Sequence, residues 1–433
     1  MKHDQEFDIA IVGNSLSARI AAALLAKNGQ RILLVGNPVR EEPGWSFSSV
    51  FIEYLLGALG GRSCFVAPSA FQVISPGSRV TIHSERPLAN ELKRELGATA
   101  GHQVETFLTE LQERGQRIDQ MFWANQGLPW PGLKGRVRFR LLAIREKTAV
   151  AELNEPLHAM LTAFDGLSRE FLKNLFQGLS LRHEKFLTMG EATLLWSQAV
   201  RPENLCEKEF NLLLKKRFEQ FHGRTETLQS LEKLDFKGSG FIGGHISGKG
   251  HFKARSLLIG HLATTRHLFP EKGFKWPAAP EVCQYRTSNL RGQLSDLLAG
   301  QVIIGAATPL RLSICEEGDA TIAAISSVER LQPQALQNIL EPALPFASFL
   351  ITATGSQVQS PPPEAMARLP IPGGFPPVLP LGRNVFCADS SLLFPGMGPA
   401  GGALLAWTLL NRLGAGPGRE RNQASRRLSD YTG

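Results

Sequence analysis

The chain begins with apolar and polar positions in the order expected of a strand, a helix and a second strand. Residues 7–13 are almost continuously apolar, which is typical of a strand in a parallel sheet that is covered on both faces. Residues 16–27 place Ala and Leu at helical spacing and end shortly before Gly29, and residues 30–35 form a second apolar run. This pattern predicts a right-handed βαβ unit, the opening of a Rossmann-like α/β domain.

The middle of the chain changes from a helical pattern to a pattern of short strands near residue 223. Apolar residues recur every three or four positions in four segments, which predict helices over 103–117, 156–163, 168–177 and 207–221. Short apolar or alternating runs predict strands over 228–236, 241–246, 256–260, 310–315 and 321–325, and a helix near 333–340 follows. The sequence therefore predicts a second, α+β region that is first helical and then rich in strands.

The end of the chain repeats the order of strand, turn and helix. Residues 361–380 are rich in Pro and Gly and are expected to be irregular. An apolar run then ends in Asp389, a Gly-rich segment follows over 395–402, and helical spacing extends over 402–413. A strand that leads into a turn of small residues is therefore predicted near each end of the chain, and the two strands are expected to lie side by side so that their turns share one groove.

The composition is that of a globular protein, and the overall charge is basic. The chain has 433 residues, of which 43% are hydrophobic and 20% charged, and its net charge is +8. The basic residues are scattered, so no nucleic-acid partner is predicted. The positive charge either marks a merely basic soluble protein, which is the commoner case, or favours an anionic ligand or membrane. The predicted helix over 208–221 has an apolar face beside several lysines. It either lies on a membrane surface or, as is commoner, packs on the core.

The cysteines and the start of the chain indicate the compartment. None of the five cysteines forms a C-x-x-C pair and their number is odd, so neither a disulfide framework nor a zinc knuckle is predicted. Four histidines between residues 245 and 267 fit no zinc-binding spacing, and no metal site is predicted. The sequence shows no signal peptide and no apolar run of about 18 residues. We therefore expect a cytoplasmic protein, with peripheral attachment to a membrane as the alternative, and the sequence sets no oligomeric state.

The turn after the first strand has the spacing of a dinucleotide-binding motif. Such a motif needs small residues for the tight turn, for the approach of the pyrophosphate and for helix–strand packing, and Gly13, Ser15 and Ala18 occupy these places. Ser15 adds a hydroxyl that either clashes with a phosphate or donates a hydrogen bond to it. The N–H groups of Leu16 and Ser17, in the first helical turn, also favour an anion.

The end of the second strand lacks the acidic residue that usually holds the adenosine ribose. That place falls on Gly36, and Asn37 follows it, with an amide that hydrogen-bonds a ribose hydroxyl without the help of a charge. Two interpretations of this front motif stay open. Either the βαβ unit binds a dinucleotide through a weakened set of contacts, or it has lost its ligand.

The second strand–turn–helix segment is more specific. The run from Asn384 to Asp389 and the Gly-rich segment from Pro395 to Ala403 resemble the closing flavin-binding motif of the phytoene desaturase and amine oxidase superfamily. The resemblance implies that Asp389 meets the ribityl–pyrophosphate part of FAD and that the turn and the helix start lie under the isoalloxazine ring. This chain has Ala388 where the family usually has Gly. The residues implied in this half of the site are Ala388, Asp389, Gly396, Met397, Gly398, Pro399, Ala400 and Gly401.

The resemblance extends to the architecture of most of the chain. A β-meander begins near Leu228, which we include among the cofactor-binding residues. The Gly-Gly-Arg sequence that the family commonly shows after the second strand is absent at its usual place, and Gly60-Gly61-Arg62 is either that motif displaced or a coincidence. The implied fold is α/β, with a Rossmann-like FAD/NAD(P)-binding domain formed by residues 1–75, 205–275 and 375–433, and a discontinuous α+β substrate domain formed by residues 76–204 and 276–374.

The resemblance implies an FAD-dependent oxidoreductase that removes a hydride from a hydrophobic substrate, such as a lipid or an isoprenoid. FAD supplies this chemistry, so the lack of an obvious acid–base pair does not count against catalysis, and no catalytic residue is assigned. Only three tyrosines are present, which weakens the amine oxidase branch with its aromatic cage. Aromatic residues of the helical region either line an apolar pocket or belong to the core: Phe122, Trp123, Trp130 and Trp196. The alternative is a degenerate, non-catalytic relative that keeps the fold as a binding or assembly module.

Overall fold

The structure is a computed structural model, and it describes residues 5–37, 47–61, 64–66, 70–83, 86–128, 133–145, 150–201, 204–270, 274, 283–287, 300–317, 320–327, 331–344, 351–353, 380–389 and 398–413. The helices are α1 (Leu16–Lys27), α2 (Val50–Leu59), α3 (Leu88–Leu96), α4 (Ala98–Asn125), α5 (Leu133–Arg145), α6 (Val150–Asn154), α7 (Leu157–Leu161), α8 (Gly166–Ser180), α9 (Met189–Ala199), α10 (Glu207–Gln220), α11 (Leu262–Thr265), α12 (Pro333–Ala343) and α13 (Gly398–Arg412). The strands are β1 (Gln5–Val12), β2 (Ile32–Val35), β3 (Phe65–Val66), β4 (Phe71–Ser75), β5 (Ser78–Ile82), β6 (Asn204–Leu205), β7 (Arg224–Glu226), β8 (Leu231–Lys237), β9 (Gly240–Ile246), β10 (Gly250–Ile259), β11 (Cys283–Thr287), β12 (Gln301–Ile304), β13 (Leu310–Glu317), β14 (Ala320–Ser327), β15 (Ile351–Ala353) and β16 (Val385–Cys387).

A seven-stranded sheet contains both β1 and β16, the first and the last strand of the described residues. Its strands follow the order β7-β2-β1-β10-β9-β8, and β16 pairs with the second half of β10. Strands β7, β2, β1, β10 and β16 are parallel, whereas β8 and β9 are antiparallel additions. Alternate side chains of β1 enter different cores, with Ile9 and Ile11 on one face and Ala10 and Val12 on the other. A parallel sheet covered on both faces confirms the predicted Rossmann-like α/β fold.

The expectation that the first and last strands lie side by side is wrong, because β10 lies between β1 and β16. Ile9 of β1 pairs with Ser256, and Leu257 on the same strand pairs with Val385 of β16. The reason is that the meander β8–β9–β10 returns its last strand to the centre of the sheet. All three strands are parallel, so their carboxyl ends still meet at one edge.

A second large sheet, a two-stranded sheet of β3 and β6 and a group of helices form the rest of the described chain. The second sheet has the order β15-β11-β14-β13-β12-β4-β5, in which β4 runs parallel to β12 and the other pairs are antiparallel. Strand β4 therefore belongs to this sheet, although the predicted division placed residues 1–75 in the cofactor domain. The division into a cofactor domain and a substrate domain stays a prediction. No helix among the described segments is long and apolar enough to cross a bilayer.

Helix α1 matches its predicted bounds, β1 and β2 differ from theirs by one or two residues at an end, and α13 begins earlier than predicted. Helix α1 covers the predicted range 16–27 and ends before Gly29, whose φ is +77°. Helix α13 begins at Gly398, four residues before the predicted start. The small residues at its start allow close packing, because a Cβ on Gly402 would lie only 3.4 Å from the backbone N of Ser17. The predicted irregular segment 361–380 lies outside the described residues, apart from Pro380.

Candidate dinucleotide site

The turn after β1 needs a glycine at its first position. Gly13 has φ +92°, and its N–H donates to the carbonyl of Val35 at 2.8 Å. A Cβ at this position would lie 2.9 Å from the backbone carbon of Gly260 and would collide with the backbone N of His261. The turn after β1 is therefore packed directly against the segment that follows β10.

The hydroxyls of Ser15 and Ser17 join the two ends of the chain. The Ser15 Oγ accepts a hydrogen bond from Ala18 N at 3.3 Å, which makes Ser15 the N-cap of α1, and donates to the carbonyl of Ala388 at 2.8 Å. The Ser17 Oγ donates to the same carbonyl. The Ser15 hydroxyl therefore has partners within the protein, and whether it clashes with a phosphate or donates to one stays a prediction. It fastens the front motif to the strand that carries the back motif.

Asp389 also has a partner within the protein. Its side chain is buried, and its Oδ2 accepts a hydrogen bond from the backbone N–H of Leu262 at 2.9 Å, at the start of α11. The carboxylate thus fixes the end of β16 against the segment that follows β10. Burial and the nearby Asp389 charge raise the pKa of the Cys387 thiol to about 12, so this cysteine is a neutral thiol at physiological pH.

A cavity of about 550 Å³ opens beside the carboxyl ends of β2 and β7. Its volume lies within the usual range for small-molecule sites. The Asn14 amide donates to the Asn37 carbonyl on one wall, and Arg19 spans from the carbonyl of Asn14 (3.1 Å) to Oδ1 of Asn211 on α10 (2.6 Å). The lining comprises Asn14, Arg19, Leu34, Gly36, Asn37, Asn211, Leu212, Leu214, Lys215, Phe218, Glu219, Thr225, Glu226 and Thr227.

Glu226 supplies a carboxylate to this cavity that the sequence did not indicate. It ends β7 and pairs in register with Val35, the last residue of β2. Burial opposes its ionisation, but hydrogen bonds from Lys249 and Arg224 outweigh burial and lower its pKa. The carboxylate is therefore charged and engaged by two cations. The sequence could not indicate Glu226 because its position depends on the pairing of β7 with β2, which is a long-range contact.

The structure brings most of the predicted cofactor residues to one sheet edge. Ser15, Ser17 and Ala388 are in direct contact there, and Gly36 and Asn37 line the cavity. Leu228 follows Thr227 of the cavity lining and packs partly buried beside the core of the sheet. In the back motif Gly398 is exposed at the start of α13, Pro399, Ala400 and Gly401 are buried, and Gly396 and Met397 lie outside the described residues together with Arg62 of the Gly-Gly-Arg sequence.

The aromatic residues of the helical region belong mainly to the core. Phe122 and Trp196 are buried, which confirms the core interpretation for both. Trp123 is partly exposed and stacks on Trp407 of α13, with ring centroids 4.8 Å apart and planes at 17°, while Tyr54 of α2 meets both rings edge-on. Trp130 lies outside the described residues. The stacked pair leaves no gap for a ligand between its rings.

Helix α10 is a core helix. Phe210, Leu214 and Phe218 are buried, and α10 packs against α1. The core interpretation of the predicted helix over 208–221 is therefore confirmed, and its apolar face is not presented to a membrane.

Histidines of the meander face carboxylates on β8. The Nδ1 of His245 lies 2.6 Å from Glu232, and the Nδ1 of His251 lies 3.7 Å from Asp235. The hydrogen bond with His245 lowers the pKa of Glu232. Within the described segments no group of three or more His, Cys, Asp and Glu side chains is arranged to hold a metal.

Asp119 is a buried carboxyl group of α4, apart from the candidate site. Its Oδ1 accepts no hydrogen bond within the described residues. Burial raises its pKa from 3.8 to about 7, against the attraction of Arg201 and with a contribution from the charge of Glu53. The folded chain therefore holds this proton more tightly than the unfolded chain. The contribution of Asp119 to the free energy of unfolding is therefore largest below about pH 4 and is lost as the pH rises to about 7.

We expect Asp119→Asn to abolish this pH dependence. Near pH 8 the variant should raise the free energy of unfolding by roughly 2–4 kcal/mol, whereas near pH 4 it should change it little. Urea denaturation at several pH values measures the free energy of unfolding of the variant and of the wild type. Asp165→Asn, at an exposed position before α8 where the side chain makes no capping bond, is the matched control and should keep the wild-type profile. A gain from Asp119→Asn that is the same at every pH would contradict the raised pKa.

Comparison with known proteins places this geometry in a recognised fold. No protein-family description matches the chain, and no curated protein matches it. Among solved structures, putrescine oxidase bound to putrescine is 13% identical over 95% of this chain and 100% of its own, with a TM-score of 0.57. An oxidoreductase from Methanosarcina mazei is 10% identical over 93% of this chain and 100% of its own, with a TM-score of 0.59. The chain has the fold of these oxidoreductases.

The same fold occurs in a protein that is not named as an oxidoreductase. A Rab GDI from Plasmodium falciparum is 12% identical over 95% of this chain and 99% of its own, with a TM-score of 0.53. At such identities the similarity shows the fold alone. The chemistry of this chain therefore depends on its own residues.

Proposed function

We propose that this chain is an FAD-dependent oxidoreductase that removes a hydride from a hydrophobic small molecule. The observation that carries the proposal is the contact between Ser15 Oγ and the carbonyl of Ala388, at 2.8 Å and 373 positions apart in sequence. This contact places the start of α1 and the end of β16 at one edge of the parallel sheet. Ligands of such sheets bind beyond the carboxyl ends of the strands, where this edge lies.

The described residues fit the adenosine part of FAD. The cavity beside β2 and β7 is about 550 Å³ and exposes amide and hydroxyl groups of Asn14, Asn37 and Thr227. A Cβ on Gly36 would come within 2.8 Å of the Asn14 side chain, so the glycine preserves this wall of the cavity. The lining holds two basic side chains, Arg19 and Lys215, and two acidic ones, Glu219 and Glu226, so its charges balance and it suits the uncharged adenosine part rather than a phosphate.

The start of α1 fits the pyrophosphate. Helix geometry leaves the N–H groups of Leu16 and Ser17 without partners inside the helix, and the dipole of α1 favours negative charge at this end. Helix α1 has no acidic residue in its first turn that would oppose an anion. These N–H groups would hold the phosphates, while the Ser15 and Ser17 hydroxyls keep β16 in place.

FAD, when bound, supplies the acceptor for a hydride from a substrate C–H bond. The chain itself contributes positioning and the exclusion of water. Asp389 fixes the end of β16 through Leu262 N, and the buried start of α13, with Ala400 and Ala403, closes the side of the site toward α1. Cys387 remains a neutral thiol and offers no nucleophile there.

The aromatic cluster favours a hydrocarbon substrate over an amine. Cages for cationic amines place aromatic faces around an open space. Here Trp123 and Trp407 stack on each other at 4.8 Å, and Tyr54 closes their edges at 5.0 and 5.1 Å. This cluster therefore offers no open cage for a cationic amine, which supports a hydrocarbon substrate.

Anaerobic bleaching of bound flavin tests the proposed substrate class. The full chain is loaded with FAD and mixed, without oxygen, with a long polyene in detergent micelles or with putrescine. We expect the visible absorbance of oxidised flavin to fall with the polyene and to persist with putrescine. Bleaching by the amine alone, or by neither compound, would contradict the substrate proposal.

A second candidate function is that of a non-catalytic binding or assembly module. It is favoured by the internal hydrogen bonds of Ser15, Ser17 and Asp389, because these bonds give each side chain a structural role without a ligand. Gly36 and Asn37 offer no charge at the end of β2, which also favours a module that binds no FAD. This candidate predicts that the purified chain takes up no FAD.

A further inference from the structure

Helix α5 presents an apolar face to solvent. Leu133, Val137, Leu141 and Ile144 are 79%, 47%, 63% and 73% exposed. Among the described residues, no other helix or strand has more than one exposed large apolar side chain. Single exposed apolar residues are ordinary on a protein surface, whereas a contiguous group is not. This group, which we call the α5 face, needs an explanation.

The α5 face is one side of a helix whose other side is anchored. At about 100° per residue its four side chains fall within an arc of roughly 80°. Phe139 and Ala143 lie on the opposite side and are buried, and the Phe139 ring stacks on Phe122 of α4 with centroids 6.3 Å apart. Helix α5 is therefore held on the protein by one side while its apolar arc points outward.

Cations flank the α5 face on both sides. Residues 133–145 contain five Lys and Arg and no Asp or Glu. On the helix, Lys134, Arg138 and Arg145 follow one edge of the apolar arc and Arg140 borders the other, and all four are exposed. Long basic side chains beside an apolar strip reach outward with their charges while their stems extend the apolar surface. This arrangement is complementary to a surface that is apolar inside and anionic outside.

We propose that the α5 face docks the protein on the surface of an anionic lipid bilayer. The 13 residues of α5 extend about 20 Å. An amphipathic helix of this kind lies in the membrane plane, with its apolar arc among the acyl chains and its cations at the head groups. A second copy of the chain is a poor occupant, because pairing two α5 faces would bring two clusters of positive charge together.

The helix proposed to bind the membrane is α5, and not α10, for which the sequence suggested a membrane-surface role as one alternative. Helix α10 buries Phe210, Leu214 and Phe218 in the core and exposes one large apolar side chain, whereas α5, with no acidic residue, exposes four. The proposal does not depend on FAD, since neither α5 nor its flanking cations line the cavity at β2 and β7. A failure of membrane binding and a failure of cofactor binding are therefore separate outcomes.

Vesicle flotation of the full chain tests the proposal. Vesicles of phosphatidylcholine alone are compared with vesicles that contain about a third of phosphatidylglycerol. We expect the chain to float with the anionic vesicles and to bind neutral vesicles at least about tenfold more weakly. Leu141→Glu/Ile144→Glu should reduce binding to anionic vesicles at least about tenfold, and Arg138→Glu/Arg140→Glu should remove the preference for anionic lipid.

The matched control is Leu167→Glu/Ile242→Glu. It makes the same chemical change at exposed apolar positions of α8 and β9, and it should bind as the wild type does. Thermal unfolding of each variant confirms that it is folded. The proposal is overturned if the wild type does not float with anionic vesicles, or if the control loses binding as fully as the α5 variant. It is also overturned if Leu141→Glu/Ile144→Glu only converts a dimer in solution to a monomer, or only abolishes binding to an acidic protein, and leaves flotation unchanged.

Discussion

Asp389→Ala is expected to lose both cofactor affinity and stability. The carboxylate accepts the backbone N–H of Leu262 in a buried setting, so its removal leaves that donor without its acceptor and should cost about 2 kcal/mol of unfolding free energy. The resemblance to the flavin motif places the same side chain beside FAD. We therefore expect the dissociation constant for FAD to rise at least about tenfold, as measured by fluorescence titration of the purified variant.

Asp389→Asn separates the two roles of this residue. The asparagine carbonyl still accepts from Leu262 N, so the free energy of unfolding should stay within about 1 kcal/mol of the wild type. The negative charge is lost, and FAD affinity should fall to an intermediate value. If Asp389→Ala kept wild-type affinity for FAD while losing stability, Asp389 would be a structural residue and no part of the cofactor site.

Gly13→Ala is expected to be the most destabilising single change at the candidate site. The position has φ +92°, which strains any side chain, and the new methyl group would meet the backbone of Gly260 and His261. We expect a loss of about 3 to 5 kcal/mol, measured by urea denaturation. Because the turn and the segment after β10 would be forced apart at the start of α1, FAD binding should be lost as well.

Gly29→Ala is the matched control for this prediction. Gly29 ends α1 with φ +77°, but a Cβ there would meet nothing within 4 Å. Both substitutions restrict the unfolded chain equally and both strain the backbone, so their difference isolates the collision at Gly13. The control should lose about 1 kcal/mol and keep its FAD affinity. Equal losses from the two variants would contradict the close packing around Gly13.

The local elements of this fold could be predicted from the sequence. Strand β1 and helix α1 are encoded by short-range patterns, namely a continuous apolar run and helical spacing closed by Gly29. The same applies to the alternating residues of β13 and β14. Such patterns report the burial of each face, which is a property of neighbouring residues.

The arrangement of the elements could not be predicted in the same way. The position of β10 between β1 and β16 depends on pairing across more than 100 residues, and the sequence gives no register for it. The carboxylate of Glu226 reaches the cavity only because β7 pairs with β2. The partners of Ser15 and Asp389 are likewise backbone groups of remote segments, Ala388 and Leu262, which no motif specifies.

Which amphipathic helix presents its apolar face to solvent could also not be predicted from the sequence. The sequence indicated a basic amphipathic helix at 208–221, and periodicity alone does not distinguish a core face from a membrane face. Burial of Phe210 confirms the core interpretation of that helix, and the exposure of Leu133 and Ile144 is why the membrane proposal concerns α5. What distinguishes the two helices is whether the rest of the protein covers their apolar face.

Retention of FAD by the purified full chain tests whether the edge of the sheet formed by α1 and β16 binds this cofactor. The chain is incubated with excess FAD, desalted, and its visible absorbance is compared with its protein concentration. We expect a yellow protein that keeps close to one FAD per chain. A colourless protein that is folded by circular dichroism and retains no FAD would contradict it and would leave the fold as a binding or assembly module.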